Sequence, residues 1–172
     1  STLILDAPYV IDQGPGLPKW KPANYTDEFF GLTTMRTGIE KSRNLMTIRL
    51  ANKVGIKSIL SSAKDLNIHH YLEKNMSMSL GTGLVTLINL TNAYGMIANG
   101  GREINPKFIK SIYSRNGKKI FDSSNKFCEN CIVEDISNFD KPPEISNKFT
   151  QVIDQKLAYQ ITSMMEGVIK RG

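Results

Sequence analysis

A chain of 172 residues, 40 % of them hydrophobic, is long enough to form one ordinary domain. Its 22 basic and 16 acidic residues give a formal charge of +6, but no dense Lys/Arg cluster or RNA-binding signature goes with it; the charge reads as a solvated basic surface, and nucleic acid is not expected as a partner. No apolar run approaches the roughly 20 residues of a membrane helix, and residues 1–16 lack the basic and apolar regions of a signal peptide, so any membrane anchor is expected outside these residues.

Residues 1–31 carry Pro8, Gly14, Pro15, Gly16, Pro18, Pro22 and Gly31, which predicts an extended, turn-rich segment wrapping a core. Trp20, Tyr25, Phe29 and Phe30 supply the apolar area that keeps it attached. Trp20 is a candidate for lining a substrate groove, although a buried anchor is the commoner job of an indole. Thr33 or Thr34 suits the N-cap of a helix running to about Lys41, in which Met35, Ile39 and Ser42 share a face and turn Ser42 inward. Ser42-Arg43-Asn44 then forms a polar elbow. A second helix follows with Leu45, Met46, Ile48, Ala51 and Val54 inward and Gly55 as a left-handed stop. Ile59, Leu60, Ala63 and Leu66 mark a short third helix; His69-His70 end it and are expected to satisfy its last carbonyls rather than do acid–base work.

Residues 84–98 make the strongest helical pattern, capped by Thr86, with Leu87, Leu90, Ala93, Tyr94 and Ile97 as its apolar stripe and Gly100-Gly101 closing it. The period then changes. Two β-patterned runs flank Asn116-Gly117, which predicts a hairpin with a type I′ turn and φ > 0 at both residues. Residues 122–150 form a polar excursion of loops that contains Cys128-Glu129-Asn130-Cys131 and Pro142-Pro143. A last helix starts at the N-cap Asp154 and turns Leu157, Ile161, Met164, Met165, Val168 and Ile169 inward, the methionines as core filler.

Chemistry concentrates at the elbow. A hydroxyl and a carboxamide two residues apart, pinned between helices, aim a proton carrier and a hydrogen-bond fork at one point. The bare pattern recurs at Ser114-Arg115-Asn116 and Ser123-Ser124-Asn125, so the flanks decide its meaning. Upstream lies Trp20-Lys21-Pro22-Ala23-Asn24-Tyr25, then Phe29-Phe30-Gly31-Leu32-Thr33-Thr34-Met35-Arg36. Downstream lie Met78-Ser79-Leu80-Gly81-Thr82, Val85-Thr86-Leu87 and Ala93-Tyr94-Gly95-Met96-Ile97-Ala98-Asn99-Gly100-Gly101. In that order these blocks resemble the class A (bifunctional) penicillin-binding proteins, whose chemistry rests on S-x-x-K, Ser-x-Asn and Lys-Thr-Gly elements.

The resemblance implies an α+β fold: the mainly helical portion of a penicillin-binding/serine β-lactamase-like transpeptidase domain plus a β-hairpin, as an incomplete domain. Its expected parts are the turn-rich residues 1–31, a helical part 32–101 with Ser-x-Asn, the hairpin and excursion 102–150, and the helix 151–172. The implied reaction is cross-linking of peptidoglycan stem peptides ending in D-Ala-D-Ala through an acyl-serine, at the periplasmic face of the bacterial inner membrane, with β-lactams as competing ligands and no cofactor. Ser42 is carried over as the proton relay and Asn44 as the holder of substrate and catalytic lysine, whereas Arg43 receives no role. S-x-x-K is expected before Ser1 and Lys-Thr-Gly beyond Gly172, which leaves these residues with a relay and a holder but no nucleophile.

Ser61-Ser62-Ala63-Lys64 and Ser123-Ser124-Asn125-Lys126 spell S-x-x-K, and Arg36-Thr37-Gly38 and Gly81-Thr82-Gly83 half-spell the third element. All are expected to be decoys. The Ser61 run follows Ser42, whereas the family's nucleophile precedes it, and the Ser123 run has no apolar helix to activate it. In a periplasmic setting Cys128 and Cys131 are disulfide candidates, with free thiols or a metal site as alternatives. Two further readings stay open: a degenerate, non-catalytic binding module, and an unrelated basic helical interaction domain with Ser42 and Asn44 facing solvent.

Overall fold

The computed structural model describes residues 2–68, 73–123 and 149–172. His69, His70, Cys128 and Cys131, the Pro pair and most of the Ser123 run lie outside the described residues. The chain divides into two units, one formed by 1–102 with 151–172 and the other by 103–150.

The first unit is built around one helix. Strands β1 (Leu3–Asp6) and β2 (Gly31–Thr34) pair antiparallel, Leu3 opposite Thr34 and Asp6 opposite Gly31. Helix α1 (Met35–Glu40) follows β2 directly, its first turn closed by the Thr34 side chain accepting from the Thr37 amide. Helix α2 (Asn44–Val54) packs against β1, α1, α3 (Ile56–Asp65) and a 3₁₀ helix (Met76–Leu80). Its Leu45, Met46, Ile48 and Ala51 are buried, two of them completely. Full burial of a Leu or Ile side chain contributes about 1.5–3 kcal/mol, which makes α2 the principal source of cohesion. Gly38 of α1 allows the close approach, since a Cβ there would come within 2.9 Å of the Met46 methyl carbon.

Helix α4 (Leu87–Ala98) is capped by Thr86 and helix α5 (Gln155–Arg171) by Asp154, both as the sequence predicts. α5 packs on α1 and α4. Gly100 and Gly101 end α4 at φ +68° and +80°, and the Gly101 carbonyl accepts from the Val152 and Ile153 amides. A Cβ on Gly101 would lie 2.2 Å from the Ile153 carbonyl oxygen, so both φ and space demand glycine there.

Several expectations fail in phase. α4 buries Asn92, Ala93 and Met96, while Leu87, Leu90 and Tyr94 are exposed. Val54 in α2 and Leu157, Ile161 and Ile169 in α5 are exposed as well. Periodicity reports which residues share a face; which face finds a partner depends on elements distant in sequence. Gly55 does take positive φ, but with ψ 138° it is extended rather than left-handed helical, because it joins α2 directly to α3. The β1–β2 pairing was absent from the sequence reading, which left residues 1–31 without strands. Among the described residues no helix is long and apolar enough to cross a membrane.

The second unit holds the hairpin of β3 (Ser111–Tyr113) and β4 (Lys119–Asp122). Gly117 has φ +76°, but Asn116 is not left-handed, so the turn is not type I′. Gly117 N–H donates to Ser114 O at 3.0 Å and Ser114 N–H to Lys118 O at 2.7 Å. That is a three-residue loop, a tight turn followed by a glycine bulge; a separate irregularity lies further along the ladder, where Tyr113 pairs with Lys119 and Ile112 with Phe121, so that Ile120 is the extra residue. The Ser114 hydroxyl accepts from Lys118 N–H at 3.0 Å and favours this loop over the two-residue turn.

Candidate functional site

The elbow begins where α1 ends, two residues earlier than the helical phase of Ser42 assumed. Arg43 N–H donates to Gly38 O at 2.8 Å and Ser42 N–H to Ile39 O at 3.1 Å, with Ser42 at φ +52°. This is a Schellman closure in which a serine occupies the position that glycine normally takes. Left-handed backbone costs a residue with a Cβ about 1–2 kcal/mol. The expectation that helix phase turns Ser42 inward is therefore corrected: Ser42 is exposed, and among the described residues its hydroxyl has no hydrogen-bond partner. Arg43 is the N-cap of α2, but its side chain makes no capping bond. Instead its guanidinium lies 3.4 Å from the Phe30 ring centre, a cation–π contact that ties the elbow's middle residue to β2's approach.

Asn44 is the first residue of α2, half-buried, with Nδ2 donating to Ala23 O at 3.1 Å. The next amide, Leu45 N–H, donates to Asn24 Oδ1 at 3.2 Å. The turn-rich segment thus grips the start of α2 at consecutive residues. Asn24 stood in the sequence as part of the Trp20–Tyr25 block, without a role. A carboxamide two residues past the Trp20-Lys21-Pro22 run was the available signal.

From the other side, α1 is anchored to α5. Glu40 is buried and accepts from Arg171 at 2.6 and 3.1 Å, with Arg36 Nη1 at 3.7 Å. The Arg171 guanidinium hydrogen-bonded to it holds the Glu40 carboxyl below the usual carboxylate range, against the opposing effect of burial. Arg36 also donates to Ser163 O at 3.0 Å, and Lys41 Nζ donates to Arg171 O. Gly167 leaves the room: a Cβ there would sit 1.9 Å from Glu40 Oε1.

Trp20 is half-buried and joined to Ile11 by two backbone hydrogen bonds of 2.9 Å. It lines a cavity of about 500 Å³ together with Ile11, Asp12, Lys74, Asn75 and Ser77. It is therefore both anchored and groove-lining. The Ser61 run lies in the C-terminal half of α3 with both serines exposed, and Arg36-Thr37-Gly38 lies within α1. Gly81 is the left-handed cap of the 3₁₀ helix, so Gly81-Thr82-Gly83 is no strand motif either. Among the described residues no group of three or more His, Cys, Asp or Glu side chains is placed to hold a metal ion.

The chain belongs to the penicillin-binding protein transpeptidase family: the profile of the penicillin binding protein transpeptidase domain matches residues 2–172. It is 45 % identical to penicillin-binding protein 1A of Rickettsia bellii over 168 residues, covering 97 % of this chain and 21 % of that protein. It is 29 % identical to penicillin-binding protein 1A of Pseudomonas aeruginosa over 201 residues, covering 100 % of this chain and 24 % of that protein. The chain thus spans about a fifth of the length of the curated relatives it matches. In fold it is similar to penicillin-binding protein 1A from Haemophilus influenzae, with TM-score 0.81 at 23 % identity over 100 % of this chain and 27 % of that one. The PonA1 protein from Mycobacterium tuberculosis in complex with penicillin V matches with TM-score 0.72 at 20 % identity, over 95 % of this chain and 40 % of that one. Family membership removes the reading of an unrelated basic helical interaction domain.

Proposed function

We propose that this chain supplies the Ser-x-Asn element of a peptidoglycan D,D-transpeptidase, with Ser42 as proton relay and Asn44 as holder. In the proposed reaction a serine of an S-x-x-K element outside these residues attacks the carbonyl between the two terminal D-alanines of a stem peptide. The terminal D-Ala leaves as the amine and takes up one proton, and an acyl-serine remains. A second stem peptide's amine then attacks this ester, loses a proton, and the serine is released. Each half-reaction moves a proton between lysine, serine and an amine. A hydroxyl that both donates and accepts fits that passage, and Ser42 offers one with no competing bond among the described residues. Asn44 brings a carboxamide that donates and accepts toward a substrate amide. β-Lactams enter the same reaction as acyl donors whose leaving group stays attached. Trp20 is assigned the apolar wall of the donor groove. Kinship with penicillin-binding protein 1A supports a parent protein working at the periplasmic face of the inner membrane.

The observation that carries this reading is the left-handed Ser42 held beside Asn44. Backbone strain at a hydroxyl-bearing residue, fixed by the helix closure and set next to an Asn44 that Ala23 holds, supports a positioned relay. The experiment is fluorescent-penicillin labelling. The 172 residues alone are expected not to label, and a transpeptidase extended in both directions is expected to label. In the latter, Ser42→Ala and Asn44→Ala are each expected to slow acylation about 10²-fold, in the range of general acid–base groups. Stoichiometric labelling of the 172-residue chain at Ser61 or Ser123 would overturn the reading, and unchanged acylation in both variants would favour a degenerate binding module.

A further inference from the structure

The first amides of a helix have no acceptor of their own, and at α2 the N-cap residue provides none. Asn24 fills that role from 21 positions upstream through Oδ1 on the Leu45 amide at 3.2 Å. Its other end is fixed independently: Nδ2 donates to Asp6 Oδ1 at 2.8 Å and to Glu28 O at 3.0 Å. Asn24 is 5 % exposed and Asp6, the last residue of β1, is 0 % exposed. Among the described residues Asp6 Oδ2 meets no hydrogen-bond donor, so the side-chain hydrogen bond that holds the carboxylate is the one from Asn24. The adjacent Ala23 carbonyl receives Asn44 Nδ2 at 3.1 Å. A single buried carboxamide therefore links the end of β1, the loop carbonyl of Glu28 and the first turn of α2.

We infer that Asn24, oriented by Asp6, is a positioning residue for the Ser42-Arg43-Asn44 elbow. The inference rests on the roles proposed above for Ser42 and Asn44. Among the described residues Asn24 hydrogen-bonds to neither the Ser42 nor the Asn44 side chain. It acts as a cap supplied by another segment, which fixes where α2 starts relative to β1 and thereby where the Asn44 carboxamide and the Ser42 hydroxyl stand. A carboxamide is needed because the site calls for one acceptor and two donors. Aspartate at position 24 would set two carboxylates against each other in a buried place and face a third oxygen at Glu28.

The test uses the complete transpeptidase that contains this chain, with a fluorescent penicillin, separating the dissociation constant of the non-covalent complex from the acylation rate constant. Asn24→Ala and Asn24→Asp are expected to lower the acylation rate constant about 10- to 100-fold, as displacement of a catalytic group by about 1 Å does, with little change in the dissociation constant. Ile48→Val, buried in the same helix but away from the elbow, loses stability while leaving the acylation rate constant unchanged. The reversed pair, Asp6→Asn with Asn24→Asp, rebuilds the inner bond with opposite polarity, keeps the acceptor for Leu45 N–H, and is expected to recover part of the rate lost in Asn24→Asp. If Asn24→Ala does not fold, Asn24→Asp, which keeps the side chain's size, carries the comparison. An unchanged rate constant in Asn24→Asp, beside a slowed Asn44→Ala, overturns the inference and leaves the proposed function standing. A loss in Ile48→Val equal to that in Asn24→Asp at matched melting temperature also overturns it. Unchanged acylation in Ser42→Ala and Asn44→Ala removes the proposed function and the inference together.

Discussion

Ser42-Arg43-Asn44 and Ser114-Arg115-Asn116 are the same three residues in the same order, and the chain uses them differently. At the first, serine takes the left-handed conformation, its hydroxyl is uncommitted among the described residues, and the asparagine is gripped by a segment 21 positions away. At the second, the left-handed position falls to Gly117 and the serine hydroxyl is consumed by the Lys118 amide. The hairpin triplet is closed by its immediate neighbours, and the elbow triplet by distant ones. The polar atoms of a short motif stay available when distant segments position them, and are spent when the local backbone absorbs them.

The widest separation is expected in acylation. In a complete transpeptidase, Ser42→Ala or Asn44→Ala should cost about 10²-fold in acylation rate, whereas Ser114→Ala and Asn116→Ala should leave it unchanged. Equal losses at both triplets would end the distinction. Next comes the anchoring of the elbow through α5. Gly167→Ala drives a methyl group into the Glu40–Arg171 pair and should destabilise the chain by about 1–3 kcal/mol, the range for overpacking, read as a fall in thermal midpoint.

The two left-handed positions separate the triplets again at about 1 kcal/mol. Gly117→Ala meets no steric obstacle, so backbone strain alone should weaken the hairpin by about 1 kcal/mol, seen as faster hydrogen exchange at the Ser114 and Lys118 amides. Ser42→Gly relieves the same kind of strain and should leave stability equal or higher while acylation falls, an opposition that marks stability given up for function. A destabilised Ser42→Gly would show that the elbow is not strained.

The smallest effect concerns pH. Glu40 has a folded-state carboxyl held down by Arg171, so it contributes stability that is fully present above the ordinary carboxylate range, about pH 4.3, and is lost as pH falls through the lowered folded value. Glu40→Gln should flatten the acid limb of a stability–pH curve, and a hairpin variant such as Ser114→Ala should not.

The helices and their caps were legible because the signals are local: Thr34, Thr86 and Asp154 each precede an apolar period and each accepts from its own first turn. The elbow was legible through its flanks. The β1–β2 pairing was not, since two four-residue strands separated by a turn-rich segment carry neither clear alternation nor a hairpin turn. The burial of α4 was misjudged because Asn92, a polar residue, belongs to the covered face and Tyr94 does not. Asn24 escaped notice for a related reason: its importance lies in three partners that no spacing rule connects.

Gly101 offers a last consequence. Its carbonyl receives the Val152 and Ile153 amides, and residues 102 and 151 form an isolated β-bridge. The chain therefore leaves the first unit and returns to it at a single stitched seam. Both amides lie just before the Asp154 cap, so the seam sets where α5 begins, and a side chain at position 101 would be felt at the far end of the chain as well as at the end of α4.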